Sequence, residues 1–377
     1  MNRTVGFGII GCGLMGREFA SAAARWCHLN LDCPTPEIVA VCDTNDQATA
    51  WFAAHFPSVR QVTTDYHALL ANDAVEVVYC ALPHILHEQV YCDILAAGKH
   101  LLGEKPFGID QAANARILEA AAAHPDLLVR CASEFPYFPA CQQLIQWVRE
   151  DRFGKLIEVR SGFWHSSDMD LQKPINWKRK IEINGEYGCL GDLGIHTQHL
   201  PFRMGWIPKR VYAMLSNIAT TRPDGQGNMV DCLTWDNATL LCEVQDKDGG
   251  VFPMELSTKR MSPGSTNEWF IEVYGAACSA RFTTNEPNVF SYTQAWGKEQ
   301  AWCKIDVGYK PLYPTITGGI FEFGFCDAIL QMWASFLLEL DGKDPGFGCF
   351  TPEETRLSHA VQTAALRSHR EHCAVAL

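Results

Sequence analysis

No run of about 18 apolar residues occurs in the sequence, so no membrane-spanning helix is expected. There is no C-x-x-C pair, which removes the commonest redox and zinc signatures of cysteine. The sixteen Cys are scattered, and many sit inside apolar runs (Cys42, Cys80, Cys131, Cys242), which reads as buried thiols of a reducing compartment. Cys27 and Cys33 lie in a loop-like stretch where a thiol could be more reactive, though nothing in the sequence gives them a catalytic role. Internal repeats and low-complexity segments are missing. So is the charged, apolar, small-residue order of a secretory signal near the start. Positive charge is in short supply: 31 Lys and Arg against 43 Asp and Glu leave −12, a poor match to nucleic acid or anionic lipid. The expected setting is cytoplasmic, with neither nucleic acid nor a membrane as partner.

What is present is a globular composition, 47% apolar and 20% charged over 377 residues. At roughly 100–200 residues per domain this length predicts two domains or three. Up to residue 131, strand-like runs at 5–10, 38–42, 59–63, 75–81, 99–103 and 127–131 alternate with helix-like runs at 14–26, 45–55, 66–71, 85–97 and 109–123. That rhythm predicts an α/β domain, a doubly wound parallel sheet with crossover helices, over residues 1–131. Residues 132–377 read differently. A helix at 140–149, a strand at 156–164 and a helix at 192–204 precede strand after strand to 305, a mostly antiparallel sheet. Two helices, 321–340 and 352–369, follow, and the last could pack on either domain.

Four constellations carry chemistry. The first is Gly11-Cys12-Gly13-Leu14-Met15-Gly16 between a strand and a helix. Gly11 permits the tight turn, Gly13 lets a pyrophosphate approach the backbone, and Gly16 lets helix and strand pack closely. The pyrophosphate then meets the helix N-terminus at Leu14 and Met15. The second is Asp43, which ends the second strand. An acid there bonds the ribose hydroxyls and repels a 2′-phosphate, so NAD is expected over NADP; a helix N-cap would place an Asp at the same point.

The third is Glu104-Lys105-Pro106, beyond the carboxyl end of a strand, where ligands of open α/β sheets bind; an exposed turn would look alike. The fourth is Asp192, His196 and His199, at i, i+4 and i+7 of one helix face. They fit proton transfer with Asp192 assisting His196, a metal site, or a helix capped by Asp192 with two satisfied histidines. Between strand and helix, residues 164–187 hold Trp164, His165, Trp177 and Tyr187 and the basic cluster Lys173, Lys178, Arg179 and Lys180. Aromatic faces suit sugar C–H faces and cations suit an acidic substituent.

Together these segments resemble the glucose-fructose oxidoreductase / inositol dehydrogenase (Gfo/Idh/MocA) family across essentially the whole chain. The carrying residues are the three glycines, Leu82-Pro83-His84-x-x-His87, Glu104-Lys105-Pro106, Gly191-Asp192-Leu193-Gly194-Ile195-His196 and Ile271–Gly275. The resemblance implies a Rossmann domain followed by an open-faced sheet domain. Lys105, Asp192 and His196 would then be the catalytic group, and Leu82, Pro83, His87, Glu104 and Lys105 would lie along NAD. Three departures bear on the substrate: His84 stands where Asn is usual, Glu134-Phe135-Pro136 replaces an arginine-bearing segment, and Gly185-Glu186-Tyr187-Gly188 replaces a glycine run. Candidate substrate contacts are Glu134, His165, Trp177, Lys178, Tyr187 and His199.

The expected activity is oxidation of a hydroxyl of a sugar, sugar derivative or cyclitol. His196 or Lys105 would take the proton, and Lys105 would stabilise the alkoxide. A second reading is an NAD-dependent glycoside hydrolase cycling through oxidation, elimination, hydration and reduction, with Tyr187 or His199 as extra base. A third, a dinucleotide sensor, does not need Lys105, Asp192 and His196 together. No metal is expected, because an ion would repel the Lys105 ammonium. A homodimer or homotetramer through the open sheet face is expected.

Overall fold

A computed structural model describes residues 3–246, 248–294 and 298–377. Two compact units divide them. The first holds the chain up to Gly108, Ala112–Tyr137 and Lys310–Pro352; the second holds Ile109–Gln111, Phe138–Tyr309 and Glu353–Leu377. Where the sequence reading puts one boundary at 131, the chain changes unit several times.

The first unit begins β1 (Thr4–Ile10), α1 (Leu14–Ala24), β2 (Thr35–Cys42), α2 (Asp46–His55), β3 (Gln61–Thr63), α3 (Tyr66–Leu70), β4 (Val77–Cys80), α4 (His87–Ala96), β5 (His100–Gly103), α5 (Gln111–Ala123) and β6 (Val129–Cys131). These strands form one six-stranded sheet in the order β3-β2-β1-β4-β5-β6, every pair parallel. β1 is buried from Val5 to Ile10 and β4 throughout, as strands covered on both faces must be. The order reverses between β1 and β4, so their carboxyl ends open a crevice there.

The second unit runs α6 (Pro139–Arg149), β7 (Leu156–His165), α7 (Ile181–Asn184), α8 (Cys189–Arg203), β8 (Pro208–Ser216), β9 (Thr221–Pro223), β10 (Met229–Asp231), β11 (Asn237–Gln245), β12 (Val251–Lys259), β13 (Asn267–Gly275), β14 (Cys278–Thr283), β15 (Val289–Gln294) and β16 (Cys303–Asp306). Then α9 (Phe325–Leu340) belongs to the first unit, while α10 (Pro352–Glu371) and β17 (Val375–Ala376) belong to the second. The return of α9 has a packing cause: Trp333 stacks on Phe7 of β1, ring centroids 4.8 Å apart, and also meets Phe19 of α1.

The nine-stranded sheet of the second unit has the order β16-β15-β14-β13-β7-β12-β11-β8-β17. β7 and β12 are its parallel pair and the other pairs are antiparallel. Burial alternates along β8 and β11; α8 packs on β7, β11, β12 and β13, and the other face exposes Tyr212, Met214 and Leu241, with Val251 of β12 beside them. α8 is buried from Cys189 to Phe202, a helix enclosed on all sides. It starts before Asp192, at Gly188 (φ 58°), where a Cβ would meet the Trp235 nitrogen at 2.5 Å. Asp192 therefore does not cap the helix, contrary to one expectation. No disulfide joins any of the sixteen cysteines, all of which are described. Cys27 is exposed, but Cys33 is buried and burial pushes its thiol up to about 11, so the reactivity expected of it is lost. Among the described residues no helix is long and apolar enough to cross a membrane.

Candidate functional site

The glycine loop has the three properties that a dinucleotide requires. Gly11 is left-handed at φ 95°, and a Cβ there would lie 2.3 Å from the Ala81 carbonyl. A Cβ at Gly16 would lie 2.2 Å from the Gly11 carbonyl, so this glycine lets α1 close on the turn. At Gly13 nothing stands within 4 Å of an added Cβ. Leu14 and Met15 open α1, whose first N–H groups lack intrahelical partners and whose first turn carries no acid, so an anion fits there. Asp43 is half-buried; its Oδ2 accepts from the Cys12 N–H at 2.7 Å and its Oδ1 from the Asn45 N–H at 2.9 Å. Asn45, not Asp43, caps α2, accepting from the Gln47 N–H. Asp43 thus ties the end of β2 to the glycine loop, and its remaining lone pairs suit ribose hydroxyls.

Further along the sheet, Leu82 and Pro83 are part-exposed and His87 is fully buried, its Nε2 2.9 Å from the Leu82 carbonyl. His87 braces the turn that presents its neighbours. Glu104 is buried and accepts from the Tyr79 hydroxyl at 2.6 Å. Lys105 is part-exposed on the turn after β5. In that turn Phe107 takes φ 67°, a strained value for a bulky residue, held by the Asn114 Nδ2 donating to its carbonyl at 2.9 Å. Glu134 follows β6, one strand over.

Burial, and then the neighbouring Glu104, push the Glu134 carboxyl up to about 8; Lys105 pulls the other way. Folded Glu134 thus keeps a proton that the unfolded chain gives up above pH 4.5, and stability falls as pH rises through that window. Glu134→Gln should raise Tm by roughly 5 °C at pH 9 and leave it unchanged at pH 4. Equal melting curves at pH 9 would show that folding does not penalise the ionised Glu134 carboxylate.

In the second unit, α8 and the end of β7 bring several candidates together. Asp192 is buried, and its carboxylate accepts from Arg260 at 2.6 Å and from the Lys178 ammonium at 3.1 and 3.3 Å. Lys178 also lies over the Trp177 ring. His196 is buried; its carbonyl accepts from the Trp269 indole at 2.8 Å and its ring meets Phe163 edge-on, as does His165. Burial, then Arg260, push the His165 imidazole down to about 4, so it is neutral at pH 7.

Two expected substrate contacts are not presented. His199 is fully buried with its Nε2 3.4 Å from Arg203, which also grips Glu354 of α10. The Tyr187 hydroxyl lies 2.7 Å from the Thr363 hydroxyl of α10, and burial pushes it up to about 12. Both tie α8 and its approach to α10. Among the described residues no group of three or more His, Cys, Asp or Glu is arranged to hold a metal.

The basic cluster also has another use. Arg179 is fully buried between Asp168 and Asp236, Lys173 lies 3.1 Å from Asp168, and Lys178 holds Asp192. Lys180 alone of the four is exposed. Asp236 and Arg260 have no local signal, since their partners Arg179 and Asp192 are distant in sequence, whereas Asp168 lies within the same stretch as Lys173 and Arg179. The hint available is a basic loop in an acidic chain, which must find carboxylates if it is buried.

The comparisons with known proteins follow this geometry. Residues 5–131 match the family model for an oxidoreductase family with an NAD-binding Rossmann fold, and residues 141–281 match the Gfo/Idh/MocA C-terminal domain. Levoglucosan dehydrogenase of Pseudarthrobacter phenanthrenivorans is 24% identical over 217 residues, 57% of this chain and 55% of that enzyme, so the matched stretch spans about half of the relative's length. Glucose-6-phosphate 3-dehydrogenase of Bacillus subtilis is 25% identical over 286 residues, 75% of each protein. A solved levoglucosan dehydrogenase in complex with NADH has the same fold, with a TM-score of 0.87, 19% identity and 99% of both chains covered. With both domain models met in order along it, the chain belongs to the Gfo/Idh/MocA oxidoreductase family.

Proposed function

We propose that the chain is an NAD-dependent oxidoreductase that oxidises a hydroxyl of a sugar, a sugar derivative or a cyclitol. The observation that carries this reading is the dinucleotide cradle of Gly11, Gly13, Gly16 and Asp43, in a chain that also bears Lys105 and an ionised, doubly bonded Asp192. Bound NAD supplies the hydride acceptor. The cradle holds its pyrophosphate and ribose, with Leu82, Pro83 and Glu104 further along the sheet. His196 takes the hydroxyl proton, and Lys105 stabilises developing alkoxide charge. Asp192 is a fixed anion that holds Lys178, while His165, Trp177 and Lys178 form the substrate wall. The sugar dehydrogenases among its relatives support the substrate class. The hydrolytic cycle is less well supported, because its extra bases, Tyr187 and His199, are engaged toward α10 and Arg203.

A screen of sugars, glycosides, uronates and cyclitols, following NADH absorbance and product release together, tests this reading. NADH formed in step with substrate loss supports it. Glycoside cleavage without net NADH would replace it with the hydrolase, and neither signal would remove both. Calorimetry should show NAD bound more tightly than NADP, and Asp43→Ala should narrow the gap; tighter NADP in the wild type would overturn the cofactor assignment. Assembly as a homodimer or homotetramer through the exposed sheet face belongs to the same proposal, and a monomer mass by sedimentation would remove it.

A further inference from the structure

We infer that Arg260 is a positioning residue for the substrate site: it fixes Asp192 and, through Asp192, sets the Lys178 ammonium against His165 and Trp177. The inference rests on the proposal that Asp192 and Lys178 serve the substrate. Arg260 follows β12 and is 2% exposed. One arm of its guanidinium reaches Asp192 Oδ2 at 2.6 Å and the other lies 4.0 Å from Asp168. Lys178 takes both oxygens of the same Asp192 carboxylate. The side chains of Arg260 and Asp192 are each 2% exposed and that of Lys178 is 38% exposed, so the line runs from the interior to an ammonium that reaches solvent.

Two cations on one carboxylate have a chemical consequence. Asp192 stays ionised and is a poor proton acceptor, so its contribution is a fixed charge. The trio carries a net positive charge beside a neutral imidazole. That suits a substrate oxygen that becomes more negative as its proton leaves. A planar guanidinium can address Asp192 and Asp168 at once; an ammonium can serve only one of them at that reach. The backbone of Arg260 is held separately, its N–H donating to the Asp236 carbonyl at 3.0 Å and its carbonyl accepting from the Asp168 N–H at 3.4 Å. Losing the side chain therefore leaves the strand end in place.

The charged groups that act on His165 include Arg260, Asp192, Lys178 and Asp168. Nuclear magnetic resonance of the His165 ring thus reads the cluster without turnover. In Arg260→Gln the His165 titration should move up from about 4 toward its ordinary 6.5. The same variant should lose about 10–100-fold in kcat/KM, with the acid limb of its pH profile moved upward as Asp192 loses a cation. Combined with Asp192→Asn it should cost no more than Asp192→Asn alone. Arg260→Lys, which keeps the charge without the fork, should recover part of the activity, and it stands in if Arg260→Gln fails to fold. An unmoved His165 titration, a wild-type pH profile, additive losses in the double variant, or full activity of Arg260→Lys would each overturn the inference. A wild type inert toward every substrate with NAD would instead overturn the functional proposal, leaving the His165 titration to test Arg260 alone.

Discussion

Lys105→Ala should lower kcat by about 10²–10⁴-fold while NAD affinity stays near that of the wild type. The side chain is part-exposed at the strand end. Asn114 donates to the Phe107 carbonyl two residues on, and the glycine loop is tied separately by Asp43. What disappears is the cation proposed to stabilise alkoxide charge, an interaction worth most in the transition state. His196→Ala should fall in the same range for a different reason, the loss of the proton acceptor. Stopped-flow NADH formation measures the first effect and calorimetry with NAD the control. Turnover of Lys105→Ala within a few-fold of wild type would strip Lys105 of its assigned role, and the same outcome in His196→Ala would strip His196 of its own.

Arg179→Met should be the most destabilising single change in the second unit, by about 3–5 kcal/mol, because it leaves two buried carboxylates facing each other without their shared cation. Burial alone would raise Asp168, yet Arg179 and Lys173 hold it below its ordinary value. Asp236 also accepts from the Ile218 and Ala219 N–H groups. Arg222 donates to the carbonyls of Asp168 and Asp170. The cluster thus pins the irregular stretch before α8 to the sheet. Adding Asp236→Asn to Arg179→Met should recover part of the loss, since one of the stranded charges goes. Urea unfolding of the three proteins measures this. A loss under 1 kcal/mol for Arg179→Met would mean that water reaches the carboxylates.

The local parts of the fold were legible because local rules make them. The β1–α1 turn is set by glycine conformation and close approach, and the period of apolar residues separates strands from helices, although β2 and α8 begin earlier and α9 later than the pattern predicts. The same holds for the Glu104-Lys105-Pro106 turn and for Asp192 and His196 on one helix. What could not be read depends on neighbours far away in sequence. Arg179 looks like a solvated loop cation until Asp236, 57 residues on, is brought beside it. Tyr187 looks like a site residue until its hydroxyl meets Thr363 of α10, and His199 until Arg203, itself bound to Glu354 of α10, meets its ring. α9 has the same periodicity whichever unit it joins, and distant contacts decide, among them Trp333 on Phe7 and Phe19 and Glu339 with Arg130.

The late return of α9 also bears on how this chain is made. Synthesis at about 5–20 residues per second delivers β1 and α1 well before residue 333 emerges. Until then Phe7 and Phe19, both buried in the finished protein, lack the indole that covers them. The Rossmann sheet can pair its six strands early, but its apolar wall stays open for most of translation. Over the same interval β7 waits for β12 and β13, its two neighbours in the sheet, whose paired residues follow roughly 95 residues later for β12 and over 100 later for β13. Both halves are therefore sticky on the ribosome for longer than their own lengths suggest. A chain stopped before residue 325 would have a nearly complete nucleotide-binding sequence and an uncovered aromatic surface, the condition in which aggregation and chaperone capture compete with folding.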